Sequence, residues 1–163
     1  MSDYPEYRIR PWPKESWPAK LHEIPQPPTS MRIRGPDFSK DLVLKDHKKL
    51  CIVGPRKHSH YAEAVCEHII EGLREWPVSI VSGLAFGIDS IAHKIALKNG
   101  LHTIAIPGSG LLDEVIYPAA HFNLAKSILQ SGGSLLSEFD DNFTATNWAF
   151  PKRNRLMVGM IRA

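Results

Sequence analysis

Short apolar runs alternate with helical periodicities from residue 49 onward, and that alternation organises the chain. Leu50-Cys51-Ile52-Val53 is a near-continuous apolar run that stops at Gly54, the pattern of a strand buried on both faces. Ser59 then caps a predicted helix reaching Trp76, with Tyr61, Val65, Ile69 and Leu73 at i, i+4 spacing as its inward stripe. Pro77 introduces a second strand over 78–82, which ends in the glycine-bearing loop Ser82-Gly83-Leu84-Ala85-Phe86-Gly87. Asp89 is placed as the N-cap of a helix over 89–99 carrying Ile91, Ala92, Ile95 and Ala96, closed by Gly100. A third strand, Thr103-Ile104-Ala105-Ile106, runs into Pro107-Gly108-Ser109-Gly110. A helix near 119–130 stops before Gly132-Gly133, and 134–137 forms a fourth strand. Strands and helices alternating at these lengths predict an α/β fold, a Rossmann-like parallel sheet with helices on both faces.

Residues 1–48 read differently. They hold eight of the thirteen prolines and two of the four tryptophans, so long helices are forbidden there. Trp12, Trp17, Leu21 and Ile24 are expected to wrap this lead-in onto a domain spanning 49–163, and Met31–Gly35 to form a short edge strand.

In parallel α/β sheets, ligands bind beyond the carboxyl ends of the strands. Gly54-Pro55-Arg56, Ser82-Gly83, Pro107-Gly108-Ser109-Gly110 and Ser137-Glu138 all fall on that edge. Gly83 and Gly87 permit a tight turn, and loop N–H groups beside a helix N-terminus suit a phosphate. Net charge is +3, but residues 1–49 carry ten Lys/Arg against seven Asp/Glu, so the remainder is neutral overall. Its cations gather at loops: Arg56 with Lys57, and Lys152 with Arg153 and Arg155.

Other chemistries find little footing. Cys51 and Cys66 lack ligand spacing and read as small apolar fillers in a reduced, cytoplasmic protein. The histidines show no metal-ligand pattern, and no cofactor or metal is expected. No apolar run nears the ~20 residues that cross a bilayer, so no membrane partner is expected. Asp89 and His93 share a helix face, but nothing nearby supplies a nucleophile; His93 is expected to bond Asp89 or a neighbouring loop.

Taken together, the motifs resemble the DprA/Smf family of DNA-processing proteins. The match runs through Tyr4-Pro5 or Trp17-Pro18, then Leu21, Ile24, Pro27-Pro28 and Arg34-Gly35, Ile52-Val53-Gly54-x-Arg56 and Ser82-Gly83-Leu84-Ala85-x-Gly87-Ile88-Asp89. It continues through Tyr117-Pro118, Leu136-Ser137-Glu138-Phe139 and Phe150-Pro151-x-Arg153-Asn154-Arg155. The resemblance implies a non-enzymatic, homodimeric protein that binds single-stranded DNA and helps load a RecA-type recombinase during uptake of transforming DNA. It implies a DNA contact set of Gly54, Arg56, Lys57, Ser82, Gly83, Gly87, Phe150, Lys152, Arg153, Asn154 and Arg155. Arg56 would grip the backbone, and Phe150 would stack a base among cations.

Three departures temper that expectation. Pro55 replaces a small hydroxyl residue, and Phe86 stands where the family usually has arginine, which points to weaker DNA affinity or to stacking. The chain also stops at Arg162-Ala163, where the family continues with a further strand beside Leu50–Val53, so self-association along that edge is expected. Two other readings compete: a relative that binds only a nucleotide or protein partner, and a nucleoside-phosphate hydrolase, whose glycine-rich loop Pro107-Gly108-Ser109-Gly110 partly resembles.

Overall fold

The computed structural model describes residues 7–161; Tyr4-Pro5 and the terminal Arg162-Ala163 lie outside them. Six strands form one sheet, in the order β1-β2-β6-β5-β4-β3. The strands are β1 Arg10–Pro11, β2 Arg32–Arg34, β3 Lys48–Cys51, β4 Val78–Ser82, β5 His102–Ala105 and β6 Ser134–Ser137. The helices are α1 Ala19–Glu23, α2 His60–Gly72, α3 Ile88–Lys98, α4 Phe122–Gln130 and α5 Ala149–Met160. β3 through β6 pair in parallel, as the βα alternation requires, while β2 joins β6 antiparallel and β1 joins β2 antiparallel.

The sheet is therefore mixed, and Met31–Gly35 is not an edge: β2 is flanked on both sides. Arg34 locks it in place, its buried guanidinium donating to the carbonyls of Tyr7 (3.0 Å) and Leu111 (2.8 Å) and pairing with Asp113. Trp12, Trp17, Leu21, Ile24, Met31 and Phe38 share a core with Val81, Ile104, Leu136, Leu156 and Met157. Gly159 makes this docking possible, because a Cβ there would fall 2.6 Å from Leu21 Cδ1. The wrap expected of the tryptophans is thus present, through α1 lying on α5.

The opposite end departs from expectation in its burial. β3 lies at the sheet edge, as expected, but its residues range from half-buried to exposed, so it is not the strand buried on both faces that its apolar run suggests. Its helix is rotated accordingly. Ser59 caps α2 as expected, accepting from Ala62 N–H at 3.1 Å. The helix nevertheless ends at Gly72, and Cys66 and Ile70 are its buried residues. Tyr61 is 79% exposed and Ile69 47%, so most of the predicted stripe faces outward. With only one neighbouring strand on that side, α2 packs sideways onto α3, and a Lys98–Glu67 ion pair (3.0 Å) joins their surfaces.

α3 sits over the middle of the sheet and is buried along most of its length. His93 is fully buried there, its Nδ1 2.7 Å from Thr103 Oγ1, so it binds β5 and not Asp89. Burial pushes its pKa down to about 3, so the ring is neutral at ordinary pH.

Candidate nucleic-acid interface

Loops from the carboxyl ends of β3, β4 and β5 meet the first turn of α5. Glycines set their spacing. Gly87 has φ +80°, and a Cβ there would collide with the carbonyl oxygens of Pro55 and Arg56. A Cβ on Gly54 would fall 2.7 Å from the Ile88 side chain. The Arg56 loop can therefore lie directly against the start of α3, fastened by Ile88 N–H donating to Pro55 O at 3.3 Å.

Gly87 occupies the N-cap position of α3, which leaves Asp89 inside the first helical turn. There its carboxylate accepts from Gly83 N–H at 3.1 Å. Burial raises the Asp89 pKa, while the charge of Arg153 and the N–H groups of Gly83, Gly54 and Ala85 oppose that rise. The loop amides that seemed suited to a phosphate are thus engaged by an anion of the chain itself.

Arg153 completes this inner frame. It is 4% exposed, and its Nη1 donates to Gly83 O (2.8 Å) and Ile106 O (2.6 Å). Nε donates to Asn154 Oδ1 at 3.0 Å. One guanidinium thereby ties the ends of β4 and β5 to α5, and burial lowers its pKa. A Cβ on Gly83 would meet both Arg153 and the Asp89 carboxylate. Ser82 is buried, its Oγ donating to Ile52 O at 2.5 Å. Arg155 forms a two-pronged pair with Glu138 (2.6 and 2.7 Å) and donates to Gln26 O. Of the expected contact set, Ser82, Gly83, Arg153 and Arg155 are therefore committed to holding the loops together.

The rim looks outward. Arg56 and Lys57 are exposed, and among the described residues neither makes an ion pair. The Arg56 guanidinium carbon stands 4.9 Å from the centroid of the half-buried Phe150 ring, and that of Arg153 stands 6.0 Å from it. Tyr117 tilts against the same ring at 5.3 Å. Phe150 also covers Gly108, where a Cβ would fall 2.6 Å from the ring. The β5 loop, the hydrolase-like part of the sequence, is thus roofed by an aromatic side chain. Lys152 and Asn154 are exposed on the outer side of α5. Phe86 is exposed too, but its ring packs 4.9 Å from His121.

Sequence reasoning missed one neighbouring feature. Phe139 and Phe143 stack at 4.3 Å beneath Trp148, and the Lys152 ammonium lies 5.7 Å from the Trp148 ring. These positions, spaced four and then five apart across a loop, follow no single helical or strand period, so only the aromatic richness of 139–150 signalled them. No cluster of His, Cys, Asp and Glu suited to a metal occurs among the described residues, nor any helix long and apolar enough to cross a membrane.

The family model for DNA recombination-mediator protein A matches residues 9–163. Protein Smf of Escherichia coli is 35% identical over 158 residues, covering 97% of this chain and 40% of the relative. DNA processing protein DprA of Streptococcus pneumoniae is 36% identical over 148 residues, covering 91% of this chain and 49% of the relative. The chain thus spans about half the length, or less, of these relatives. The X-ray structure of the S. pneumoniae protein superposes with a TM-score of 0.79 at 32% identity, over 98% of this chain and 53% of that one. DNA processing protein A from Helicobacter pylori, described for its single-stranded DNA binding mode, gives 0.79 at 26% identity, over 95% and 66%.

Proposed function

The chain belongs to the DNA recombination-mediator protein A family, and on that premise we propose that it binds single-stranded DNA across the rim of Arg56, Lys57, Phe150, Lys152 and Asn154. The observation that carries this reading is the Arg56–Phe150 pair. An exposed arginine without an internal counter-charge is held against a half-buried aromatic ring. A guanidinium suits a phosphate, and a ring beside it suits an unstacked base. The helicobacter relative's single-strand binding mode supports the same assignment.

In this reading Gly54, Ser82, Gly83, Gly87, Arg153 and Arg155 serve the DNA indirectly, by fixing where Arg56 and Phe150 stand. The role is one of binding: the rim offers cations and rings but no nucleophile–base pair. Assembly as a homodimer, delivery of the strand to a RecA-type recombinase and action on incoming DNA in the cytoplasm are proposed with it, on family grounds.

Titration of a labelled oligonucleotide into the protein tests the proposal. Single strands should bind more tightly than duplex of the same sequence, with little dependence on base order. Affinity should fall as salt rises, because cationic contacts release counterions. Equal affinity for duplex, or indifference to salt, would overturn it.

A further inference from the structure

We propose that Trp148 is a second base-stacking position, so that the bound strand continues from Phe150 onto the Trp148–Lys152 face. This inference rests on the single-strand reading above and extends its footprint.

Trp148 is 55% exposed, although a tryptophan is a large apolar side chain to leave in water. The exposed indole stands on a built support. Phe139 and Phe143 meet it edge-on at 5.9 and 5.5 Å, with interplanar angles of 79° and 62°. Their loop is itself fastened down. Arg32 grips Asp141 through two bonds of 2.7 and 2.8 Å, Gly110 N–H donates to Phe143 O at 2.8 Å, and Leu112 N–H donates to Asp141 O at 3.0 Å. The ring therefore stands ready on a fixed base, and little ordering cost remains when a planar ligand stacks on it.

Charge selects the class of ligand. The Lys152 ammonium lies 5.7 Å from the Trp148 ring and 5.8 Å from the Phe139 ring, and among the described residues it has no carboxylate partner. A ring with an unneutralised cation at its margin suits a base that carries its own phosphate. Continuity selects the occupant: Trp148 and Phe150 flank one residue at the start of α5 and are carried by the same rigid element. On this proposal a strand leaving the Phe150 ring runs round the start of α5 to Lys152 and Trp148.

The test uses the whole chain and an oligothymidylate long enough to span both rings. Trp148→Ala should weaken binding about tenfold, the loss of one stacked base, and Trp148→Phe should recover most of it. The unfolding temperature should fall slightly in Trp148→Ala, which uncovers Phe139 and Phe143, and hold in Trp148→Phe, which keeps the aromatic cover. Trp12 and Trp17 are buried, so in a Trp76→Phe background the binding-linked quenching of emission should report Trp148. If the parent binds, Arg56→Ala weakens it, Trp148→Ala binds like the parent and the Trp76→Phe protein shows no quenching on binding, the second position is refuted and the first stands. If the parent binds no oligonucleotide, the single-strand reading itself fails.

Discussion

The inner frame and the outer rim are built from the same residue types and behave oppositely. Arg153 and Arg56 both approach the Phe150 ring. Arg153 is buried, charge-balanced by Asp89, and donates to two carbonyls from different strands. Arg56 is exposed, and its guanidinium lies against the ring without an acidic partner among the described residues. A buried cation must be satisfied internally, or its desolvation is not recovered. An exposed one remains available for an external anion. In this molecule, then, burial separates the arginine that holds the frame from the one left open to an external anion, though the residue type is the same.

The division is broken most severely from inside. Arg153→Ala should cost about 3 kcal/mol or more in chemical denaturation, because two charge-assisted bonds vanish and Asp89 loses its nearby opposite charge. DNA binding should fall with it, as the β4 and β5 loops loosen. A stable Arg153→Ala protein with weakened binding would instead place Arg153 in the rim.

Acid should also act on the core and spare the rim. His93 is neutral in the folded protein, with its pKa pushed down from 6.5 to about 3 by burial. The unfolded chain therefore takes up the proton first, and stability is lost as pH falls below 6.5. Between neutral pH and pH ~4.5 the loss should reach about 2.5 kcal/mol. His102, lowered to about 4 by burial, adds in the same direction. Asp89 works the other way, since its raised carboxyl pKa favours proton uptake by the folded state. Denaturation midpoints against pH should flatten in His93→Gln; an unchanged slope would exclude His93 as the main source.

A smaller effect sharpens the rim. Phe150→Leu keeps apolar cover over Gly108 and removes the stacking face. Single-strand affinity should drop by about 1 kcal/mol, while the unfolding temperature barely moves. A stability loss without a binding loss would make Phe150 a roof alone.

Much of this was legible in the chain. β-branched runs located β4, β5 and their glycine-bearing loops, and the convergence of those loops on one sheet edge followed from strand polarity. The Phe150 segment was tied to them only by the family resemblance. Sidedness was not legible. The i, i+4 stripe of Tyr61, Val65 and Ile69 looked inward because periodicity reports one apolar face without saying what covers it; at a sheet edge, α2 leaned on α3 through Cys66 and Ile70 instead. Burial of cations was equally hidden. Arg153 and Arg155 sit in a run of exposed-looking charge, and only the fold brings Gly83, Ile106 and Glu138 to them. The Trp148 platform was missed because its members, Phe139, Phe143 and Trp148, meet through a loop clasped by the distant Arg32.

The central claim, that exposed Arg56 binds DNA while buried Arg153 holds the site, is tested most directly by Arg56→Ala measured twice on one preparation. Oligonucleotide titration at low salt should show affinity weakened by roughly 1–3 kcal/mol, with a shallower salt dependence. Urea denaturation of the same sample should superimpose on the parent within about 0.5 kcal/mol. Normal single-strand affinity in Arg56→Ala, or a large loss of stability, would contradict the account.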